Sequence, residues 1–116
     1  MKFEEQINKV ELLGNVAYTR HYPIGEKICV QFSVATNMVY RNNKNDVSIE
    51  TTFHNCVASE SEKIPRKTLE VLDKGTPVHI FGRLRNINFT GSDGSEKTIT
   101  EIRVYDLKII DSQPEP

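Results

Sequence analysis

An all-β barrel of five strands, with one short helix between the third and fourth, is the fold class that this sequence predicts. Three observations predict it. Apolar residues recur with period two in five segments. A single helical pattern interrupts them between the third segment and the fourth. Glycines break two of the strand patterns where a coiled sheet needs a bulge or a sharp bend. Three strands, a helix and two more strands is the order of an OB-fold, a small Greek-key barrel; an SH3-like small barrel is the alternative.

The elements follow in chain order. Val10, Leu12 and Val16 share one face of the first strand, and Gly14 interrupts it. Leu13 falls out of phase, which would leave an aliphatic side chain on the outer barrel face. In the second strand Ile28, Val30, Phe32 and Val34 share a face, and Phe32 is assigned to the core. A third strand is expected from about Ile49 to Ala58, a fourth from Val78 to Phe89 with Gly82 inside it, and a fifth from Lys97 to Ile110. In the fifth, Ile99, Tyr105, Leu107 and Ile109 are the candidates for inward or interface positions. The helix begins at Pro65, which suits a first helical position; Leu69 and Leu72 repeat at helical spacing, and Gly75 stops it. Asn42-Asn43-Lys44-Asn45-Asp46 and Gly91-Ser92-Asp93-Gly94 read as mobile polar hairpin tips.

With 116 residues the chain can bury one modest core, so one domain is expected, spanning residues 1–111, with a short frayed end at 112–116. Fifteen basic and sixteen acidic side chains nearly cancel, so any field for a polyanion must come from where the charges sit. Glu4, Glu5, Glu60, Glu62 and Glu70 stand apart from Arg41, Lys44, Arg83, Arg85, Lys97 and Arg103, which fall on strands or between them. Cys29 and Cys56 are too few for a disulfide framework and read as strand fillers. No apolar run is long enough for a signal peptide or membrane span, so the expected compartment is the cytoplasm, with no membrane partner.

The residues able to carry function are aromatic and cationic. Unpaired nucleic acid offers each base as a flat surface and each linkage as a negative charge, so a sequence-tolerant binder needs exposed aromatics among basic groups. Tyr40, Phe53 and Phe89 supply the aromatics. Tyr40 abuts a polar loop where burial is unfavourable. Arg83 and Arg85 alternate in phase with Phe89, and Arg41 beside Tyr40 would extend a phosphate track. A nucleophile at Cys56 with His54 lacks an orienting group and an anion hole, which argues against an enzyme. His21, His54, His79 and the cysteines have no metal-ligand spacing, so neither metal nor cofactor is implied.

Four motifs in order carry a resemblance. They are Asn8-Lys9-Val10-Glu11-Leu12-Leu13-Gly14-Asn15, Ala35-Thr36-Asn37 with Tyr40-Arg41, Glu50-Thr51-Thr52-Phe53-His54-Asn55, and Gly82-Arg83-Leu84-Arg85. Over roughly Ile7 to Asp111 the chain resembles the bacterial single-stranded DNA-binding protein family. The resemblance implies an OB-fold that coats exposed single-stranded DNA in replication, repair, recombination or mobile-element transfer, and it implies a homotetramer. It also implies base-stacking roles at Tyr40, Phe53 and Phe89, where the family typically carries tryptophans, and subunit contacts near His54 and His79, with Leu13 as a further interface candidate. Trp is absent here, Ile87 and Asn88 replace common basic residues, and Ser59 replaces a common aromatic. Weaker binding is therefore expected. The family's long extension with an acidic tip, which partner enzymes grip, has no counterpart in Ser112-Gln113-Pro114-Glu115-Pro116, so recruitment of replication or repair enzymes is not expected. A dimeric primosomal relative, acting mainly as a protein interaction module, is the alternative.

Overall fold

Strands dominate the computed structural model, which describes residues 5–110. They are β1 (Val10–Ile24), β2 (Lys27–Arg41), β3 (Val47–Ser59), β4 (Pro77–Thr90) and β5 (Glu96–Ile109), with the short helix α1 (Arg66–Glu70) between β3 and β4. The sheet closes into a barrel in the order β1-β2-β3-β5-β4. All neighbours are antiparallel except β3 and β5, which run parallel over Cys56–Ala58 against Ile102–Val104. The observed order is that of the five-stranded OB barrel. The ends of the expected domain, including the segment from Ser112, lie outside the described residues.

The core is what the period-two pattern requires. Val16, Val30, Phe32, Val34, Ile80, Ile102, Val104 and Leu107 fill the barrel, with Leu69 and Leu72 closing it from below. Burying each such side chain contributes about 1.5–3 kcal/mol. Leu13 is 65% exposed on the opposite face, as its phase demands.

Two one-residue bulges reset the phase. Between Val16 and Tyr18 the pairing with β2 slips, leaving Ala17 as the extra residue. Between Phe81 and Gly82 the pairing with β5 skips Tyr105. The second slip divides the fifth-strand candidates between the inward and the outer face. Leu107 is buried and Ile109 packs on the core, but Ile99 and Tyr105 are exposed, while Ile102 and Val104 point inward instead. A strand that gains one residue turns every side chain beyond it to the other face.

The helix is also shorter than its pattern. Pro65 is its N-cap, extended at ψ 152°, and Val71 ends it. Leu72 is buried one residue past that cap, and Gly75 lies in the turn that leads into β4. Gly75 takes φ 91° there, and its N–H donates to the Val16 carbonyl at 2.7 Å, tying the turn to β1. A positive φ explains a glycine at this point. His21 Nε2 donates to the Leu69 carbonyl at 2.8 Å, holding the helix against β1.

Strand length decides where the site lies. β2 and β3 stay paired from Cys29–Ser59 out to Arg41–Val47, and β4 and β5 out to Thr90–Glu96, well beyond the closed barrel. Their outer halves project as two ribbons. Residues in the core-facing phase, such as Met38, Tyr40 and Leu84, are therefore exposed there.

Candidate nucleic-acid interface

Directly paired residues share a face, so the register assigns the outer surface. On the β2–β3 ribbon Phe53 lies opposite Ala35, and Val39 opposite Ile49, on that outer face. On the β4–β5 ribbon Arg83 lies opposite Arg103, Arg85 opposite Glu101, Ile87 opposite Ile99, and Phe89 opposite Lys97. The parallel pairing of Val57 with Arg103 makes the two ribbons one surface where they leave the barrel. A cleft of about 240 Å³ opens at that surface, lined by Tyr18, Gln31, Ser33, Asn55, Ile99 and Glu101 among others.

Phe53 is 63% exposed and Phe89 43%. Both offer ring area to solvent, the geometry that a stacking platform needs. Tyr40, although 49% exposed, pairs with Ser48, five residues along β2 from Ala35. An odd step puts it on the reverse of the ribbon from Phe53. The three aromatics are thus not coplanar: Phe53 and Phe89 belong to the outer face, and Tyr40 to the edge and back of one arm.

The cations divide likewise. Arg83 and Arg103 are directly opposite one another, an arrangement that costs stability when nothing neutralises it. Arg103 Nη2 donates to Ser59 Oγ at 3.2 Å. The pairing concentrates positive charge on the outer face of the β4–β5 ribbon. Arg85 stands on the same face but is engaged, since its Nη2 lies 2.6 Å from Glu101 Oε1 and Glu101 is only 8% exposed. Its charge is spent locally. Arg41 Nη1 donates to Asn45 Oδ1 at 2.8 Å within its own hairpin tip. That tip is braced: Asn42 Oδ1 accepts from the backbone N–H of Lys44 and of Asp46, each at 2.9 Å, and Asn45 takes φ 65°.

Sequence reasoning missed several members of this surface. Arg103 was legible as a strand cation but not as the partner of Arg83. Tyr18 and Arg20 reach the face because the Ala17 bulge re-aims the strand; Arg20 donates to Gln31 Oε1 at 3.3 Å and lies 5.6 Å from the Tyr22 ring centroid. Only pairing partners reveal such residues.

The interface candidates separate too. Leu13 pairs directly with His79, whose ring sits 4.6 Å from that of Phe81 and whose Nε2 is 2.6 Å from Glu11 Oε2. His54 lies elsewhere, on the other ribbon face from Phe53, with its Nε2 2.9 Å from Thr36 Oγ1. It does not activate Cys56. The Cys56 thiol instead donates to the His54 carbonyl at 3.6 Å, and burial, followed by the charge of Glu101, pushes its pKa up to about 12. A thiol held protonated is a poor nucleophile. Among the described residues no group of three or more His, Cys, Asp or Glu could hold a metal ion, and no helix is long and apolar enough to cross a membrane.

Comparison with known proteins places this geometry among relatives. The model of the Single-strand binding protein family matches residues 7–110. A single-stranded DNA-binding protein of Neisseria meningitidis is 32% identical over 113 residues, covering 94% of this chain and 63% of the relative. The chain thus spans less than two thirds of that relative's length. Among solved structures, a Plasmodium falciparum SSB in complex with ssDNA superposes with a TM-score of 0.77 at 28% identity, covering 95% of this chain and 100% of that one. A small single-stranded DNA-binding protein from Streptomyces coelicolor, at 20% identity and a TM-score of 0.66, shares the fold.

Proposed function

The chain belongs to the Single-strand binding protein family, and from that membership we propose that it binds single-stranded DNA with broad sequence tolerance, sequestering exposed strands in the cytoplasm during replication, repair, recombination or mobile-element transfer. One observation carries the reading: two exposed phenylalanines and a directly opposed arginine pair lie on one outer face. Phe53 and Phe89 stack on bases. Arg83 and Arg103 displace counterions from phosphates, with Arg41 and Arg85 contributing once their present partners yield. Tyr40 meets a strand that passes around the edge of the β2–β3 arm. The action is binding without chemistry, in keeping with a Cys56 thiol held protonated and a His54 turned to Thr36. The family match does not favour the interaction-module alternative.

Anisotropy titration with a labelled single strand, repeated with the duplex, tests the reading. Affinity should be higher for the single strand, because stacking within a duplex hides the base faces. On raising salt, log affinity should fall with a slope of about −0.7 for each phosphate neutralised. Equal affinity for both forms, or a flat salt response, would remove the proposal.

Assembly belongs to the same reading. Exposed Leu13 and the half-buried rings of His79 and Phe81 form an apolar and aromatic patch across β1 and β4 that a second copy of the chain would cover, and His54 stands near a further contact in a homotetramer. Light scattering at tens of micromolar should return four times the chain mass. A monomer would contradict these interface assignments.

A further inference from the structure

Strand register places three arginines on one line across the sheet. Arg20 on β1 pairs with Gln31, Gln31 with Val57, Val57 with Arg103, and Arg103 with Arg83, so these side chains form a single row over the outer face of all five strands. Arg83 and Arg103 already stand in the proposed phosphate track. Arg20, at the opposite end, is exposed and makes no salt bridge among the described residues, and Gln31 and Val57 between it and Arg103 are uncharged. No carboxylate interrupts the row.

Arg20 is held in place without being neutralised. Its Nη1 donates to Gln31 Oε1 at 3.3 Å, and its guanidinium lies 5.6 Å from the Tyr22 ring centroid, a packing that orients the cation and leaves its charge intact. The Tyr22 ring is fixed in turn. Arg103 Nη2 donates to Ser59 Oγ at 3.2 Å, the Ser59 hydroxyl to Cys29 Sγ at 3.5 Å, and the Cys29 thiol to the Tyr22 hydroxyl at 3.1 Å, a chain of contacts from β5 to β1. Two residues before Arg20 on the same face, Tyr18 is 58% exposed and forms the β1 wall of the cleft, across from Ile99 and Glu101 on β5. Its row runs through Ser33 to Asn55, two residues along β3 from Phe53.

Spacing allows one strand to use the whole row. Three inter-strand steps of about 4.8 Å separate Arg103 from Arg20, roughly 14 Å, which about four nucleotides span at a stacked rise of about 3.4 Å. Such a length fits within the roughly 4–16 nucleotides that an OB-fold occupies. We propose that β1 carries the far end of the single-strand track: a strand seated on Arg83 and Arg103 crosses β3 and β2, places a phosphate on Arg20 and stacks a base on Tyr18. The inference rests on single-strand binding and adds to it two contact residues and a direction across the sheet. It also locates stacking surface in a chain that has no tryptophan.

Equilibrium titrations with labelled oligo(dT) over a range of salt, on the unmodified chain and on four variants, test the two contacts separately. Tyr18→Ala should weaken binding by about five- to a hundredfold, the usual loss of one stacking platform, while Tyr18→Phe, which keeps the ring, should stay within about twofold of the parent. Arg20→Gln should reduce the salt slope by about 0.7 for each protomer the strand crosses. Lys67→Gln, which removes an exposed cation on α1 away from the row, should leave the slope unchanged. Parental affinity in Tyr18→Ala, or an equal loss in Tyr18→Phe, would overturn the stacking contact. An unchanged slope in Arg20→Gln, or the same reduction in Lys67→Gln, would overturn the phosphate contact, and both results leave single-strand binding intact. Failure of the unmodified chain to bind would instead overturn the proposed function, and this inference with it. Should Tyr18→Ala not fold, Tyr18→Leu removes the flat ring while keeping apolar bulk and decides the same question.

Discussion

Phe32→Ala lowers folding stability by about 3–5 kcal/mol, the usual cost of emptying a core phenylalanine site, whereas Phe89→Ala leaves stability within about 1 kcal/mol and weakens single-strand binding by roughly 1–3 kcal/mol. The two rings differ in environment, not in chemistry. Phe32 is 2% exposed among Val16, Val34, Cys56 and Ile102 inside the barrel, so truncation leaves a void that the closed sheet cannot collapse to fill. Phe89 stands near the end of the β4–β5 ribbon, opposite Lys97, with nearly half its surface in solvent. Urea denaturation paired with anisotropy titration of each variant checks both halves. Comparable destabilisation by the two replacements would overturn the placement of Phe89 as a stacking platform, and unchanged affinity in Phe89→Ala would deny it a part in binding.

Gly82→Ala should be as damaging as the loss of the core ring, at about 3 kcal/mol or more, in the upper part of the overpacking range. Gly82 sits at the bulge where β4 crosses β5, and a Cβ there would collide with the backbone carbonyl of Arg103, while meeting Ile102 Cγ2 at 2.9 Å. Backbone has no alternative rotamer. Relief requires β4 and β5 to separate, which moves Arg83 and Arg103 apart and opens the barrel beside Val104. The substitution should therefore reduce stability and single-strand affinity together, unlike Phe89→Ala. A variant melting within a few degrees of the parent would show that the close approach is not needed.

Much of the barrel was legible because alternation is local. Val30, Phe32 and Val34 announce an inward face within five residues, and Leu13 announces an outward one by falling out of step. For the same reason alternation left Tyr105 as either inward or interface: it carries across a bulge on paper, but the strand spends one residue there and every later side chain changes sides, which turns Tyr105 outward. Tyr40 shows the limit differently. Its exposure follows from the polar loop beside it, yet which side of the ribbon it occupies depends on counting from a paired residue such as Ala35 opposite Phe53. Arg85 looked as available as Arg83 until β5 set Glu101 against it.

Sequence alone determined the number and order of the strands, the helix between the third and fourth, the core assignment of Phe32 and the family resemblance, since each rests on periodicity or on short motifs within one segment. The tertiary structure alone decided which cations remain free, which aromatics share a face and where the cleft opens. Those properties arise between strands far apart in the chain, where register and the two bulges choose the neighbours and one residue of slip inverts a face. Glu101 is the plainest instance: in sequence it is one acidic residue among sixteen, and its buried position beside Arg85 exists only because β4 pairs with β5 while β5 runs parallel to β3.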